Sequence, residues 1–493
     1  MKRYFDLHIH PSFKPYLSGY DLEDKANAWK VFRHPVGIIG SQGSLEQMRE
    51  GGVHIGVNPL YGLEKVLTSA FLTRHVAPIV TLLNAEVINE SATTSYFDSI
   101  MAELAFFERW TDYKSEEGQT FRIINSIDEA EEGKVNIILA IEGGHNLEKT
   151  NYRLRETLNL LKEGPHRYLY LTMTHMIQFP LCTHAYGMKM LKKADALKPR
   201  GFGITDLGRE IIDEAYRQSD TARRIHVDVK HMSLISRRQF YEYRREKGYQ
   251  DIPILATHMG TTGISYDPDT LKEYIVERDV KAARGYVQVT YEQPRGIGCT
   301  SSDRDDHTYF NPWSINLYNE EISEIIDSGG LIGLNLDQRI QGAAKIKGEF
   351  FSIEEFDAVL ENRIHPRRDD DFVEEEAEVE EEMERGLFRT NQRKHLRHLC
   401  NNILNIVRHG GERSWQQICI GSDFDGLIDP INTCVNATEF ERLEERMADT
   451  LREMIAESRR EDPSAEYFEG DLDQHVRDIM YTNGVRFLQK NFA

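Results

Sequence analysis

The chain has 493 residues, 40% hydrophobic and 29% charged, and 60 Lys plus Arg against 81 Asp plus Glu leave a formal charge of −21. That balance argues against a nucleic-acid partner, because such proteins present basic surfaces. No stretch reaches the ~18 consecutive apolar residues of a membrane span, and the scattered cysteines (Cys182, Cys299, Cys400, Cys419 and Cys434) do not make a disulfide framework.

The opening MKRYFDLHIHPS passes directly into a strand pattern with no apolar stretch of signal-peptide length. A cytoplasmic protein without membrane attachment is expected. Further apolar runs follow Tyr4–Ile9: Val135–Ile141, Tyr168–Leu171, Ile225–Val229, Ile252–Ala256, Leu331–Leu336 and Ile418–Ile420. Their length and β-branched content suit buried parallel strands. Amphipathic helices lie between them. In TDLGREIIDEAYRQ, Leu207, Ile211, Ile212 and Ala215 form one stripe. In NEEISEIIDSGG, Asn319 is placed to cap a helix with Ile322, Ile325 and Ile326 on its inner face and Gly329-Gly330 at its end. Strand-then-helix order repeated along the chain predicts a (β/α)8 TIM barrel over residues 1–493. An insertion at approximately 340–395 carries the acidic run Asp369–Glu384, read as a solvated or disordered segment, with Ser352 and Glu355 as a capping box leading into it.

The chemistry lies where predicted strands end. His8 and His10 in DLHIHPS are two apart, so a strand points both imidazoles to one side. Glu142 ends an apolar run in ILAIEGGHN, where an unpaired buried carboxylate would be costly. His231 in IHVDVKHMS and His258 in IPILATHMG lie 27 residues apart, about one strand–helix unit, and sit in register. Asp423 and Asp425 follow ICIGS, and Asp425 is assigned to orienting the turn or a neighbouring group. In a barrel these ends share one rim. Four imidazoles and two carboxylates there suit two divalent ions, taken as zinc, with one carboxylate bridging. His54, His145, His184 and His307 receive no role, and Cys182 and Cys419 are read as buried structural thiols.

As an ordered set, EGGHNL at Glu142, YLTMTH ending at His175, GITDLGREII from Gly203, VDVKHMS at His231, ATHMG at His258, IGSDFDG at Asp423 and the C-terminal YTNGVRFL resemble the membrane (renal) dipeptidase family, peptidase M19, of the amidohydrolase superfamily. The resemblance implies a binuclear zinc hydrolase. Its metal ligands map to His8, His10, Glu142 (bridging), His231 and His258, its catalytic aspartate to Asp423, and its substrate-contacting histidine to His175. Asn483 and Arg486 match the closing helix. Family members are often dimers, so a homodimer is possible on this reading. Two positions depart from the pattern. The family has His-x-Asp where this chain has His8-x-His10. It also has an arginine for the substrate carboxylate where this chain has Asn316, with Arg295 or Arg304 as replacements.

On this reading a hydroxide held between the ions attacks the scissile carbonyl of a dipeptide or related small amide. Asp423 carries the proton to the leaving amine, and His175 assists the oxyanion. A non-dipeptide amide, a lactone or a phosphoester is the alternative substrate; the opening DLHIHPS also resembles histidinol-phosphatase-type phosphoesterases, which the later motifs fit poorly. A non-catalytic scaffold is the remaining alternative, and it would need none of these residues.

Overall fold

All eight residues of the strand Val135–Glu142 are buried, which is what a strand covered on both faces demands. In the computed structural model this strand is one of eight in a parallel ring. The structure describes residues 2–18, 41–66, 87, 90, 93–111, 114–115, 118–119, 121–187, 195–219, 222–298, 307–344, 348–366 and 392–493. Cys299, Arg304 and the acidic run Asp369–Glu384 lie outside them.

The ring strands are β1 (Tyr4–Asp6), β2 (Val53–Leu60), β3 (Val135–Glu142), β4 (Tyr168–Thr172), β5 (His226–Asp228), β6 (Leu255–Met259), β7 (Leu331–Leu334) and β8 (Ile418–Ile420). They pair in chain order. Closure comes from backbone contacts between β8 and β1: Leu7 N–H donates to Ile420 O at 2.9 Å, Asp423 N–H to His8 O at 2.8 Å, and Ile9 bridges Phe424 in parallel. The helices after successive strands are α1 (Leu45–Glu50), α2 (Tyr96–Glu108), α3 (Leu154–Lys162), α4 (Asp206–Tyr216), α5 (Leu234–Lys247), α6 (Asn319–Asp327), α7 (Gln392–Gly410) and α8 (Phe440–Glu461). The expected (β/α)8 barrel is the observed one.

Three local readings change. Strand β2 escaped the hydrophobic pattern because VHIGVNPL carries Gly56, Asn58 and Pro59. A Cβ at Gly56 would lie 2.5 Å from Met48 Cε, so the end of that flexible side chain would have to shift. Helix α6 is capped at Tyr318 rather than Asn319. Glu321 Oε2 accepts the Tyr318 N–H at 3.0 Å, and Asn319 Oδ1 instead accepts from Asn405. Ser352 is the N-cap of the helix Ile353–Leu360, but the expected box does not form. Its hydroxyl donates to Gly201 O, while Glu355 accepts from Gly203 N–H and the Ser233 hydroxyl.

A second sheet was not anticipated. Ile275–Lys281, Tyr286–Tyr291 and Glu349–Ser352 pair antiparallel, joining the connection after β6 to the one after β7. Tyr286, Val287, Val289, Phe350 and Phe351 pack with Tyr186, Trp313 and Ile315 in a small separate core. The closing helix α9 (Asn483–Asn491) packs against the starts of the barrel strands. Gly484 lies so close to Phe5 that a Cβ would come within 2.1 Å of its ring. Asn483 donates to both Trp415 O and Ile418 O at 2.8 Å.

Asn483→Ala strips one donor from two buried carbonyls and is expected to cost about 2–5 kcal/mol, read from urea unfolding. Glu349 is fully buried, with one oxygen on the Ser314 N–H and hydroxyl and the other without a partner among the described residues. Burial pushes its carboxyl up to about 8. The native state therefore binds this proton more tightly than the unfolded chain does. Its contribution to stability is full below the unfolded value of 4.5 and is lost as pH rises towards 8. Glu349→Gln should flatten the stability–pH curve across that window.

Candidate metal centre

Every residue that the motifs singled out for the rim lies at or just beyond a strand's C-terminal end. Glu142 is the last residue of β3, and His258 lies within β6. His231 and Asp423 follow β5 and β8 with φ of 65° and 62°, in the left-handed region. Non-glycine residues there cost on the order of 1–2 kcal/mol, so the surrounding contacts must hold them. Asp423 is pinned through its N–H on His8 O. The glycine of SDFDG is also explained, because a Cβ on Gly426 would fall 1.9 Å from Asp423 Oδ1.

The side chains converge on Glu142, which is 3% exposed. Its Oε1 lies 3.4 Å from His8 Nε2, 3.4 Å from His258 Nε2, 3.5 Å from His231 Nε2 and 3.7 Å from His175 Nε2. Its Oε2 lies 3.5 Å from His10 Nε2. Asp423 Oδ1 is 3.5 Å from His10 Nε2 and 3.8 Å from His8 Nε2. The nitrogens also face one another: His8 and His10 Nε2 are 3.1 Å apart, as are His231 and His258 Nε2. His8–His10–Asp423, His8–Glu142–His258 and Glu142–His175–His231 each gather donors tightly enough to hold an ion.

The far side of three rings fixes which nitrogen carries the proton. Tyr170 donates its hydroxyl to Leu7 O at 3.3 Å, so its oxygen accepts from His8 Nδ1–H at 2.8 Å. Thr257 donates to Asp228 Oδ2 at 2.8 Å and accepts from His258 Nδ1–H at 2.8 Å. Both arrangements leave the Nε2 lone pair facing the centre. His175 Nδ1–H donates to the fully buried Glu64 at 2.5 Å, and Tyr61 donates to the other Glu64 oxygen. Asn335 Nδ2–H donates to Asp423 Oδ2 at 3.3 Å.

Burial, helped by the charge on His175, pushes His231 well below the ordinary histidine range; burial and His8 do the same for His258. Burial alone would raise Glu142, yet His8 and His175 bring it well below the carboxylate range. The neutral form is thus favoured at His231 and His258, but not at every ring: against the cost of burial, Glu64 and Glu142 raise His175, and Asp423 and Glu142 raise His10, so a cation seated here would have to displace protons. Burial also opposes ionisation of Glu64, but the charge of His175 and its hydrogen bond bring it down to about 2.

The remaining residues lie elsewhere. Asp425 is buried and accepts from Gln42 N–H, Gly43 N–H, the Ser41 hydroxyl and, at 2.8 Å, Lys14 Nζ; it holds a loop. Asn316 is fully buried and spent on Gly260 N–H, Asn311 O and Ile340 O. Arg295 is exposed on the edge of a bridge to Tyr309. His54 contacts Tyr481, His145 contacts Gly62 O and His184 contacts Leu197 O, while the ring of His307 lies against Tyr309. Cys182, Cys400, Cys419 and Cys434 are free and buried. Sequence reasoning missed Tyr61, Glu64, Tyr170, Asp228, Lys230, Thr257 and Asn335. The charged Asp228 and Lys230 inside the apolar VDVKHMS run were a readable signal; nothing around Glu64 marked it.

The family model for membrane dipeptidase (peptidase family M19) matches residues 36–295, just over half of the chain. His8, His10 and Asp423 fall outside that match. No curated protein matches in sequence. Among solved structures, a metallopeptidase from Rhodobacter sphaeroides liganded with a phosphinate mimic of the dipeptide L-Ala-D-Ala is similar in fold. It has TM-score 0.53 and 15% identity, with 99% of each chain covered. A dipeptidase described as a metallopeptidase of family M19 gives TM-score 0.52 at 15% identity, covering 100% of this chain and 99% of that one. The probable dipeptidase PvdM from Pseudomonas aeruginosa gives 0.51 at 13%, covering 99% and 96%. These likenesses agree with the barrel, and the family match, together with the ordered motifs on its rim, places this chain in the membrane dipeptidase family, peptidase family M19.

Proposed function

We propose that this chain is a zinc-dependent hydrolase that cleaves the amide bond of dipeptides or closely related small amides. The observation that carries the reading is Glu142, whose two oxygens face different imidazoles, Oε2 towards His10 and Oε1 towards His8, His258, His231 and His175. That is the arrangement a bridging carboxylate needs. The fit to a metal rests on the donor set and on the 3.1 Å approaches between ring nitrogens, which a cation between them would relieve. His8, His10 and Asp423 would hold one ion, and His231 and His258 the other, with Glu142 shared.

Bound there, the metal would supply Lewis acidity, easing deprotonation of a water and polarising the substrate carbonyl. The side chains do the rest. Asp423 is 14% exposed at its side chain and is held by Asn335. It accepts the proton of the attacking water and returns it to the leaving nitrogen. His175, which Glu64 orients and, with Glu142, raises against the cost of burial, keeps Nδ1–H on Glu64 and as an imidazolium donates Nε2–H to the carbonyl oxygen as charge builds there. Asp228 and Thr257 hold the His258 ring so that its lone pair stays aimed.

One observation favours a second substrate reading. Asn316 is spent on the backbone and has no donor left for a substrate carboxylate, so an amide without a terminal carboxylate is the alternative. A panel of dipeptides, N-acyl amino-acid amides, lactones and phosphoesters separates the two.

Purified protein should contain close to two equivalents of zinc by elemental analysis. Asp423→Asn should retain most of the metal and lose about a hundredfold or more in turnover. An Asp423→Asn variant as fast as the parent would overturn the proton-transfer role. Thr257→Val cuts the contact between Asp228 and His258 and should weaken metal binding by about 10–100-fold in competition with a chelator.

A further inference from the structure

The connection after β4 carries an arginine that the fold positions but does not use. Among the described residues, the Arg200 guanidinium makes no hydrogen bond: its Nε is buried without a partner, and its one ion pair is a long 3.9 Å approach to Asp195. Arginines deeper in the fold are spent: Arg237 on Glu321 at 2.6 Å, Arg244 on Ile252 O at 2.6 Å, and Arg339 on Asp337 through its Nε at 2.9 Å. The backbone at Arg200 is held from two sides. Thr183 donates to Arg200 O at 3.4 Å, and Ser352 donates to Gly201 O at 2.6 Å, with Gly201 at a φ of 91° that glycine adopts readily.

Arg200 lines a cavity of about 450 Å³, within the ~300–1,000 Å³ of small-molecule sites. Val66, Tyr96, Ile177 and Ala196 give it apolar walls, and Asp195 and Arg200 give it charge. The acid is already answered: Asp195 Oδ1 lies 3.1 Å from Lys198 Nζ and 3.6 Å from Arg284 Nη1, and accepts from the Tyr286 hydroxyl at 3.3 Å. Three cations thus face one carboxylate, and the charge left over is positive, in a chain whose formal charge is −21. Arg284 and Tyr286 belong to the second sheet, which so contributes to the balance. An unspent planar fork of donors with surplus positive charge selects a carboxylate. Apolar walls suit the hydrocarbon that carries it.

The cavity adjoins the rim. Ile177 lies two residues beyond His175, and Val66 two beyond Glu64; two residues cover at most ~7 Å of chain. Glu64 and His175 are themselves joined at 2.5 Å. The ring of Tyr96 meets that of His145 with centroids 4.7 Å apart, and its hydroxyl accepts the Lys65 N–H at 3.0 Å, next to Glu64 in the chain.

We propose that this cavity is a specificity subsite in which Arg200 receives a carboxylate of the substrate. This rests on the hydrolase reading above. It supplies a grip that Asn316, spent on the backbone, does not. An acidic side chain and a terminal carboxylate present the same chemistry to the guanidinium, and matched substrates distinguish them. Arg200 exchanges no proton and makes no bond; it selects and holds.

The binding probe is glutarate, two carboxylates on a short apolar spacer. It is titrated calorimetrically into zinc-loaded parent, Arg200→Gln and Ala196→Trp proteins, with zinc content and melting temperature measured on each. The first variant removes the charge, and the second fills the cavity while keeping it. Both should keep zinc and fold, and glutarate affinity should fall by about tenfold or more in each. Hydrolysis is then compared within two pairs, Ala-Glu against Ala-Gln and Ala-Ala against alanyl-alaninamide. A preference for Ala-Glu in kcat/KM that collapses in Arg200→Gln assigns the subsite to an acidic side chain; collapse of the preference for Ala-Ala assigns it to the terminal carboxylate. Unchanged glutarate affinity in folded, zinc-loaded Arg200→Gln overturns the proposal, as does survival of both preferences in that variant. Loss of zinc or fold in both variants makes the segment structural and also overturns it. A parent that binds glutarate but cleaves none of the four overturns the dipeptide reading, while the glutarate comparison still decides the role of Arg200.

Discussion

The arrangement of the whole rim turns on one carboxylate. Glu142 ends the fully buried strand β3 and is surrounded by five imidazoles within 3.7 Å of its oxygens. An anion so deep in a low-dielectric interior is unfavourable by itself. It is stable there because positive charge is gathered around it, first by the protein's own rings and, on the proposed reading, by metal. His8 and His10 share Asp423 as a second carboxylate on that side, at 3.8 and 3.5 Å, so the two acids together draw β1, β3, β5, β6 and the segment after β8 towards one point.

Under this rim lies a polar layer uncommon for a barrel core. Asp228 is fully buried and accepts from Thr172, Thr257 and the Lys230 N–H. Asp6 is likewise fully buried and accepts from the Ser422 N–H and hydroxyl and from the His8 N–H. Each carboxylate is satisfied by neighbours on adjoining strands, so the layer stitches β4 to β5 and β6, and β1 to the segment after β8. Networks of this kind set orientation more than they add net stability. Here their effect is to fix the angle at which rings above them face the centre.

Much of the fold and of the rim was legible in the chain. The strand-end positions of Glu142, His231, His258 and Asp423 follow from apolar runs that stop at a polar residue, and the 27-residue interval matched one strand–helix unit. Strand β2 was not legible, because Gly56, Asn58 and Pro59 break its hydrophobic pattern even though the segment pairs in register with β3. The antiparallel sheet was hidden by its edge strand Ile275–Lys281, whose residues are largely exposed and charged. Glu64 was invisible because its role depends on a ring 111 positions away. Local sequence carries the positions of donors well, but the groups that orient donors are chosen by three-dimensional neighbourhood.

The seam between the first and last strands has a thermodynamic meaning of its own. The backbone contacts that shut the cylinder, from Leu7 to Ile420, His8 to Asp423 and His10 to Phe424, run through the same residues that present His8, His10 and Asp423 to the rim. Opening the seam would disperse that donor triad, and any cation seated on the triad would resist the opening. On the proposed metal reading, barrel closure and cation affinity are two faces of a single linked equilibrium, in which the free ion concentration would tune how tightly the first and last strands are held together.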